Sequence, residues 1–240
     1  MKPSLRAVFL FAVTGLVLSP VAGAARERGI PGGRPGAGTA NPSALVAKEI
    51  AFNRMAREKG QWEAFRKLAD DDAVMFVPQP VRAKDWLMGR REPSTTLQWE
   101  ASKVWMSCDG TLGVTTGNWT RSDGKLGYFT TIWKKTKKGD YRWVLDQGDE
   151  TATAPEQPEF LSAVVADCPA PHGPGGPVPA SEEEIVVTAP GPEGQGVSKD
   201  GTLRWRYAVA DDMSRTITIT IKRNGANKDI VFTAAAHRAD

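Results

Sequence analysis

The chain has 240 residues, 25% of them charged and 40% hydrophobic, with a formal charge of +3, two cysteines and two histidines. That length holds one large domain or one domain with an appendage, and a near-neutral balance without a basic, aromatic-interleaved stripe gives nucleic acid no footprint. His172 and His237 stand alone in tail segments, which excludes a histidine metal site or a histidine-based triad from the body of the chain; no metal or cofactor is expected.

Lys2 and Arg6 precede an apolar run from Ala7 to Leu18 and the small residues Ala22-Gly23-Ala24. A basic start, an apolar stretch too short to span a bilayer comfortably and a small-x-small site read as an export signal (residues 1–24) cleaved after Ala24, with an uncleaved anchor as the alternative. The expected location is periplasmic or secreted, with no stable membrane span after cleavage. Residues 25–43 are rich in Gly and Pro and read as a flexible leader. Cys108 and Cys168 can pair in an oxidising compartment; two separate thiols are the other reading.

Asn41-Pro42-Ser43 opens a helix, with Asn41 as cap and Pro42 in the first helical position. Ala44, Ala47, Ala51 and Met55 recur on one face beside Phe52 and Ala56, and Gly60 ends it. A second helix, Gln61 to Ala69, aligns Trp62, Phe65 and Leu68. Asp70-Asp71-Asp72 precedes a short buried strand, Ala73 to Val77, that Pro78 stops. Ala83 to Met88 reads as a brief third helix presenting Trp86 and Leu87.

A long strand follows from Leu97 to Cys108, and its imperfect alternation near Val104, Trp105 and Met106 predicts a bulge. Asp109-Gly110 turns into three β-rich runs over Leu112 to Gly148, where Tyr128, Phe129, Ile132, Trp133, Tyr141, Trp143 and Val144 suit a half-buried pleated surface. Lys134, Lys135, Lys137 and Lys138 cluster at a hairpin end and read as solvated. Helices followed by such a meander predict an α+β domain over residues 44–150, a cone-shaped curved antiparallel sheet packed on the N-terminal helices.

Residues 151–199 carry seven acids against Lys199 and most of the prolines, and read as an acidic Pro/Gly-rich linker. Residues 200–236 turn β-rich again, in runs Thr202 to Val209, Arg215 to Lys222 and Asp229 to Thr233. A lone three-stranded sheet is marginal, so this appendage is expected to dock on the edge of the main sheet or extend it. Asp123-Gly124-Lys125-Leu126 and Asp200-Gly201-Thr202-Leu203 are alike but too short to count as a repeat.

Several stretches together carry a resemblance: the Phe52-to-Phe65 helical pair, Ala73-Val74-Met75-Phe76 before Pro78, Ala83-Lys84-Asp85-Trp86-Leu87 and Leu97-Gln98-Trp99-Glu100. Leu112 to Trp119 and Trp143 to Gly148 complete it. They resemble the nuclear transport factor 2-like superfamily, in its SnoaL-like and ketosteroid-isomerase-like branch. The resemblance implies the cone fold and a pocket between sheet and helices. It leaves the activity open, because that superfamily holds isomerases, dehydratases, cyclases, epoxide hydrolases and members that only bind.

Trp86, Trp99, Trp105, Trp119 and Trp133 are the candidate lining for a flat apolar ligand; the plainer reading makes them core. Asp146 is the candidate acid or base, placed by simple alternation opposite Trp143 and on the face of Val144, with Tyr128 as hydrogen-bond donor; the plainer reading makes Asp146 a turn cap near Gly148. Glu100, Asp85 and Arg82 are secondary candidates for a pocket mouth. Ile185-Val186-Val187, an isolated β-former in the linker, could add as a strand to a periplasmic partner. Three roles follow. The chain binds a small hydrophobic or aromatic molecule without chemistry; or it is a small lyase, isomerase, dehydratase or cyclase using Asp146; or it is an interaction module that forms a homodimer through its open sheet face.

Overall fold

The computed structural model describes residues 40–168 and 190–235. The export signal, most of the leader, both histidines and the Ile185–Val187 strand lie outside the described residues.

Helix α1 (Pro42–Lys59) starts where the Ala44 amide donates to Asn41 Oδ1 at 3.3 Å, and ends at Gly60, whose φ of 111° suits a residue without Cβ. Its buried face is Leu45, Glu49, Phe52 and Ala56, displaced from the alanine stripe expected above. Bulk decides this: Leu45 and Phe52 bury more apolar area than alanines do and draw Glu49, which lies between them, inward. Helix α2 (Gln61–Leu68) buries Ala64, Phe65 and Leu68.

Strand β1 (Ala69–Phe76) begins earlier than expected, directly after α2, and a hairpin through the cis Val77–Pro78 bond leads to the short β2 (Pro80–Arg82) and α3 (Ala83–Leu87). The long strands β3 (Leu97–Met106), β4 (Leu112–Arg121), β5 (Leu126–Lys135) and β6 (Tyr141–Thr151) form an antiparallel meander. The bulge in β3 falls between Ala101 and Lys103. Strand β1 adds parallel to β6, and β7 (Ser162–Val165) adds parallel to β3, giving the order β2-β1-β6-β5-β4-β3-β7 in a first sheet. The sheet is thus antiparallel apart from the two parallel joins, β1 to β6 and β7 to β3.

A second sheet has the order β11-β10-β9-β8, from β8 (Glu193–Val197), β9 (Leu203–Val209), β10 (Arg215–Arg223) and β11 (Ala226–Ala235). Strands β7 and β8 both lie inside the stretch read as linker. In β8 the sequence Glu-Gly-Gln-Gly-Val hides its nature, because two glycines stand where side chains would face the interior. The reason is space: a Cβ on Gly194 would lie 2.3 Å from the Tyr207 ring, and one on Gly196 2.4 Å from the Trp205 indole.

The first sheet is covered on both faces. Its inner face meets α1 and α2 through Leu45, Phe52, Phe65, Val104, Met106, Trp133 and Trp143. Its outer face presents Val74, Leu112, Val114, Ile132, Val144 and Leu145 to Leu203, Trp205, Tyr207, Ile217, Ile219 and Ile221 of the second sheet. The appendage thus docks face to face, neither at an edge nor as an extension, because four strands with one apolar side need an apolar surface as broad as themselves. The outer sheet face, expected to stay open, is covered by the same packing. Arg215, 7% exposed, ties the layers by donating to Asp149 Oδ2 at 2.5 Å and to the Gly148 carbonyl at 3.3 Å. Cys108 and Cys168 are bridged, joining the turn after β3 to the end of β7.

Candidate ligand cavity

Between the helices and the inner face lies a cavity of about 420 Å³. Each element contributes by its own periodicity. Helix α1 supplies Phe52, and α2 supplies Trp62 and Phe65, three residues apart on one face. Strand β3 supplies Trp99 and β4 its direct cross-strand partner Trp119; β5 supplies Phe129 and Thr131, two residues apart on the same side. Phe52 packs against Phe65 and Trp99 with ring centroids 4.8 and 4.9 Å apart, and Trp62 meets Phe65 edge-on at 5.8 Å. Half-exposed Gln61, Thr95 and Arg121 mark the opening; Arg121 is held by Asp123 at 2.8 Å.

Asp146 faces this cavity. The register between β5 and β6 slips between Ile132 and Trp133, so that Trp133 pairs with Trp143 and Ile132 with Leu145, leaving Val144 as the extra residue. Val144 and Leu145 both turn outward, and Asp146 returns to the side of Trp143. Strict alternation gave the opposite face; the bulge is the correction. Thr131, opposite Asp146 in the ladder, donates its hydroxyl to Asp146 Oδ2 at 2.6 Å. Burial pushes the Asp146 carboxyl up to about 7; the Thr131 hydrogen bond opposes this and the nearby charge of Glu49 adds to it.

Glu49 went unnoticed in the sequence. It is 3% exposed, and it accepts from Trp99 Nε1 at 2.7 Å and from Thr115 Oγ1 at 2.6 Å. Thr115 in turn accepts from Trp133 Nε1 at 3.0 Å. Burial raises the Glu49 carboxyl above its ordinary range against these donors. Its signal was its place in the Leu45-x3-Glu49-x2-Phe52 pattern, which puts a carboxyl on the helix face that carries the bulk.

Tyr128 does not serve Asp146. It lies one residue from Phe129, so it points to the outer side, where its hydroxyl donates to Asp149 Oδ2 at 2.8 Å beside Arg215. Burial and the Asp149 charge push its phenol well above the usual range. The five candidate tryptophans divide. Trp99 and Trp119 line the cavity, with Trp119 Nε1 donating to the Tyr128 carbonyl at 2.9 Å. Trp133 is fully buried core. Trp105 packs toward the second sheet. Trp86 stays outside the lining, edge-on to Trp62 with the Arg90 guanidinium 3.4 Å from its ring centre. Arg82 pairs with Asp72 at 3.1 Å and Asp85 at 3.7 Å away from the opening, and exposed Glu100 borders a separate hollow of about 570 Å³ against α1. Among the described residues no group of three His, Cys, Asp or Glu could hold a metal ion, and no helix is long and apolar enough to cross a membrane.

No family model and no curated protein matches the sequence. Structures similar to the chain include those of nuclear transport factor 2-like proteins. They include nuclear transport factor 2 from Cryptosporidium parvum, with 12% identity over 47% of this chain and 98% of that one and a TM-score of 0.34. A Delta 5-3-ketosteroid isomerase from Mycobacterium sp. has 15% identity over 44% and 92%, with a TM-score of 0.34. A nuclear transport factor 2-like superfamily protein from Salmonella enterica serovar Typhimurium has 17% identity over 47% and 96%, again at 0.34. With values this low, the fold rests on the chain's own strand order and helix packing, and the neighbours' activities stay with them.

Proposed function

We propose that this chain binds a flat, apolar, ring-containing molecule in the cavity, with one polar group of the ligand meeting Asp146. The observation that carries this reading is a single carboxyl set against Thr131 in a hollow walled by Phe52, Trp62, Phe65, Trp99, Trp119 and Phe129. Its size, about 420 Å³, is within the ordinary range of small-molecule sites. Rings supply contact area, and the one carboxyl orients the ligand.

A second reading follows from the same group. A carboxyl that changes protonation near neutrality, inside an apolar hollow, is suited to take or give a proton, which would make the chain a small isomerase, lyase or cyclase. With Tyr128 on the other face, the opposing donor expected for such chemistry is missing from its predicted place.

The export reading belongs to the same proposal, and the Cys108–Cys168 bridge supports an oxidising compartment. Partner binding through Ile185–Val187 also stays a proposal. The test is a tryptophan-fluorescence titration with 2-naphthol and with naphthalene, alongside native mass spectrometry of the protein from its own host. Quenching by both, tighter for the hydroxylated ring and equalised by Asp146→Leu, is expected. No quenching and no co-purifying molecule would sink the ligand reading. Turnover of a ring ketone lost in Asp146→Asn, with binding kept, would favour the second reading over the first.

A further inference from the structure

The hollow of about 570 Å³ beside α1 differs in character from the aromatic cavity. It lies where β3 has a bare edge. Strand β7 pairs with β3 over residues 103–106 only, so residues 97–101 have β4 on one side and this hollow beside the other. Asn53 of α1 reaches that edge and donates its amide to the Trp99 carbonyl. Val46, Ile50 and Leu161 form an aliphatic wall, with Ile50 64% and Leu161 45% exposed. Large aliphatic side chains left to water around one hollow mark a place where the apolar part of a ligand can be buried.

The same hollow is bordered by a carboxyl that lacks a counter-ion. Both oxygens of Glu49 accept from uncharged donors, Oε1 from the Trp99 indole at 2.7 Å and Oε2 from the Thr115 hydroxyl at 2.6 Å. Thr115 is held in turn by Trp133 Nε1 at 3.0 Å, so each donor in the row points toward the carboxyl. Among the described residues no Lys or Arg pairs with Glu49, and burial without an opposite charge holds it above its ordinary range. Each carboxylate oxygen has a second lone pair, which leaves room for a further donor. Glu100, placed by alternation on the other side of the strand from Trp99, is exposed and has no ion pair among the described residues. Arg57, the cation of the lining, is turned to Asn53 Oδ1 at 3.0 Å.

We infer that this hollow is a second binding site, separate from the aromatic cavity, and that it takes an aliphatic amine, with the ammonium group on Glu49 and the hydrocarbon on Val46, Ile50 and Leu161. An ammonium ion offers three donors and brings the positive charge that the buried carboxyl lacks. The Trp99 indole, bonded to Glu49 and lining both hollows, is an aromatic neighbour for that cation. Glu100 gives a second ammonium a partner at the far end of the hydrocarbon, so a diamine binds more tightly than a monoamine of equal length. An alcohol of that length brings no charge and a carboxylate brings the wrong one.

The test is calorimetric titration of the full chain near neutral pH with hexylamine, 1,6-diaminohexane, 1-hexanol and hexanoate. The two amines are expected to bind, and the alcohol and the acid are not. Glu49→Gln keeps the size of the side chain and removes its charge, and should weaken hexylamine by more than about tenfold. Glu100→Gln should bring the diamine down to the affinity of hexylamine, and Ile50→Ala should weaken both amines by about threefold. The inference is overturned if neither amine binds, if 1-hexanol binds as well as hexylamine, or if Glu49→Gln leaves the amine affinity unchanged. Amine binding lost in Asp146→Asn and kept in Glu49→Gln also overturns it, because the ammonium then sits in the aromatic cavity. Should Glu49→Gln not fold, the surface positions decide: diamine affinity unchanged in both Glu100→Gln and Ile50→Ala sinks the site.

Discussion

The two faces of the first sheet are built from the same strands and end differently. The outer face is aliphatic (Val74, Val114, Ile132, Val144, Leu145) and is met by a second sheet whose isoleucines fill the space between them. The inner face is aromatic and is met by helices, and there a cavity of about 420 Å³ stays open. Branched aliphatic side chains from two pleated layers interdigitate at short spacing. Large flat rings on a sheet, set against cylinders that touch it along a line, fill a wedge badly. Hollow and solid thus follow from side-chain shape as much as from the covering element. The lone carboxyls follow the same division: Asp146 and Glu49 face inward, whereas Asp149 on the outer side is matched by Arg215.

The comparison can be broken in several places. Replacing both Cys108 and Cys168 by Ser opens a loop of 60 residues that ends at the turn holding the second sheet, and should cost about 4 kcal/mol in the chain-entropy account. Equilibrium urea unfolding of the oxidised and substituted proteins measures it. Ile219→Ala, in the solid layer and fully buried, should cost about 3 kcal/mol by transfer and cavity terms together. If it costs less than 1 kcal/mol in the same melts, the outer layer is not close-packed.

The inner face should show its character through pH. Asp146 titrates near 7 in the folded chain and near its ordinary 3.8 when unfolded, so the folded state holds the extra proton between those values. Its contribution to stability is fully present below the unfolded value and is lost as pH rises through the folded one. Glu49, also raised by burial, acts with the same sign. Wild type should therefore lose stability between about pH 4 and pH 8, and Asp146→Asn should remove on the order of 3 kcal/mol of that loss. Thermal melts across the range report it, and an unchanged slope in the variant would place Asp146 in water. The smallest effect is expected from Trp119→Ala: a half-buried ring at an existing hollow leaves little new void and should cost about 1 kcal/mol, while abolishing most of the fluorescence response to 2-naphthol.

Much of the inner layer was legible because its signals are local. The Asn41-Pro42 start, the Gly60 stop and the Trp62 and Phe65 spacing each depend on residues within a few positions of one another, whereas the bulge expected near Val104 falls between Ala101 and Lys103. Of the cavity's three tryptophans, Trp99 and Trp119 could be named from their strands and Trp62 was read only as part of a helix face, but Trp105 and Trp133 could not be told from Trp99 and Trp119. All four have the same strand propensity, and only the layer that each meets separates them.

Sequence by itself determined the helices and the long meander strands, the aromatic richness of that meander and an acid in its last strand, since periodicity and capping act through the backbone's immediate neighbours. Tertiary structure alone decided the rest. An unpaired Val144 opposite β5 chose the face of Asp146, and the bulk of Leu45 and Phe52 carried Glu49 inside. Glycines in β8 became strand residues because Tyr207 and Trp205 lie across them. The turn that Asp200-Gly201-Thr202-Leu203 truly matches was Asp109 to Leu112 rather than Asp123 to Leu126, and their meeting joins positions 91 residues apart. Contacts at that separation are set by how whole layers settle against each other, which no short window of residues contains.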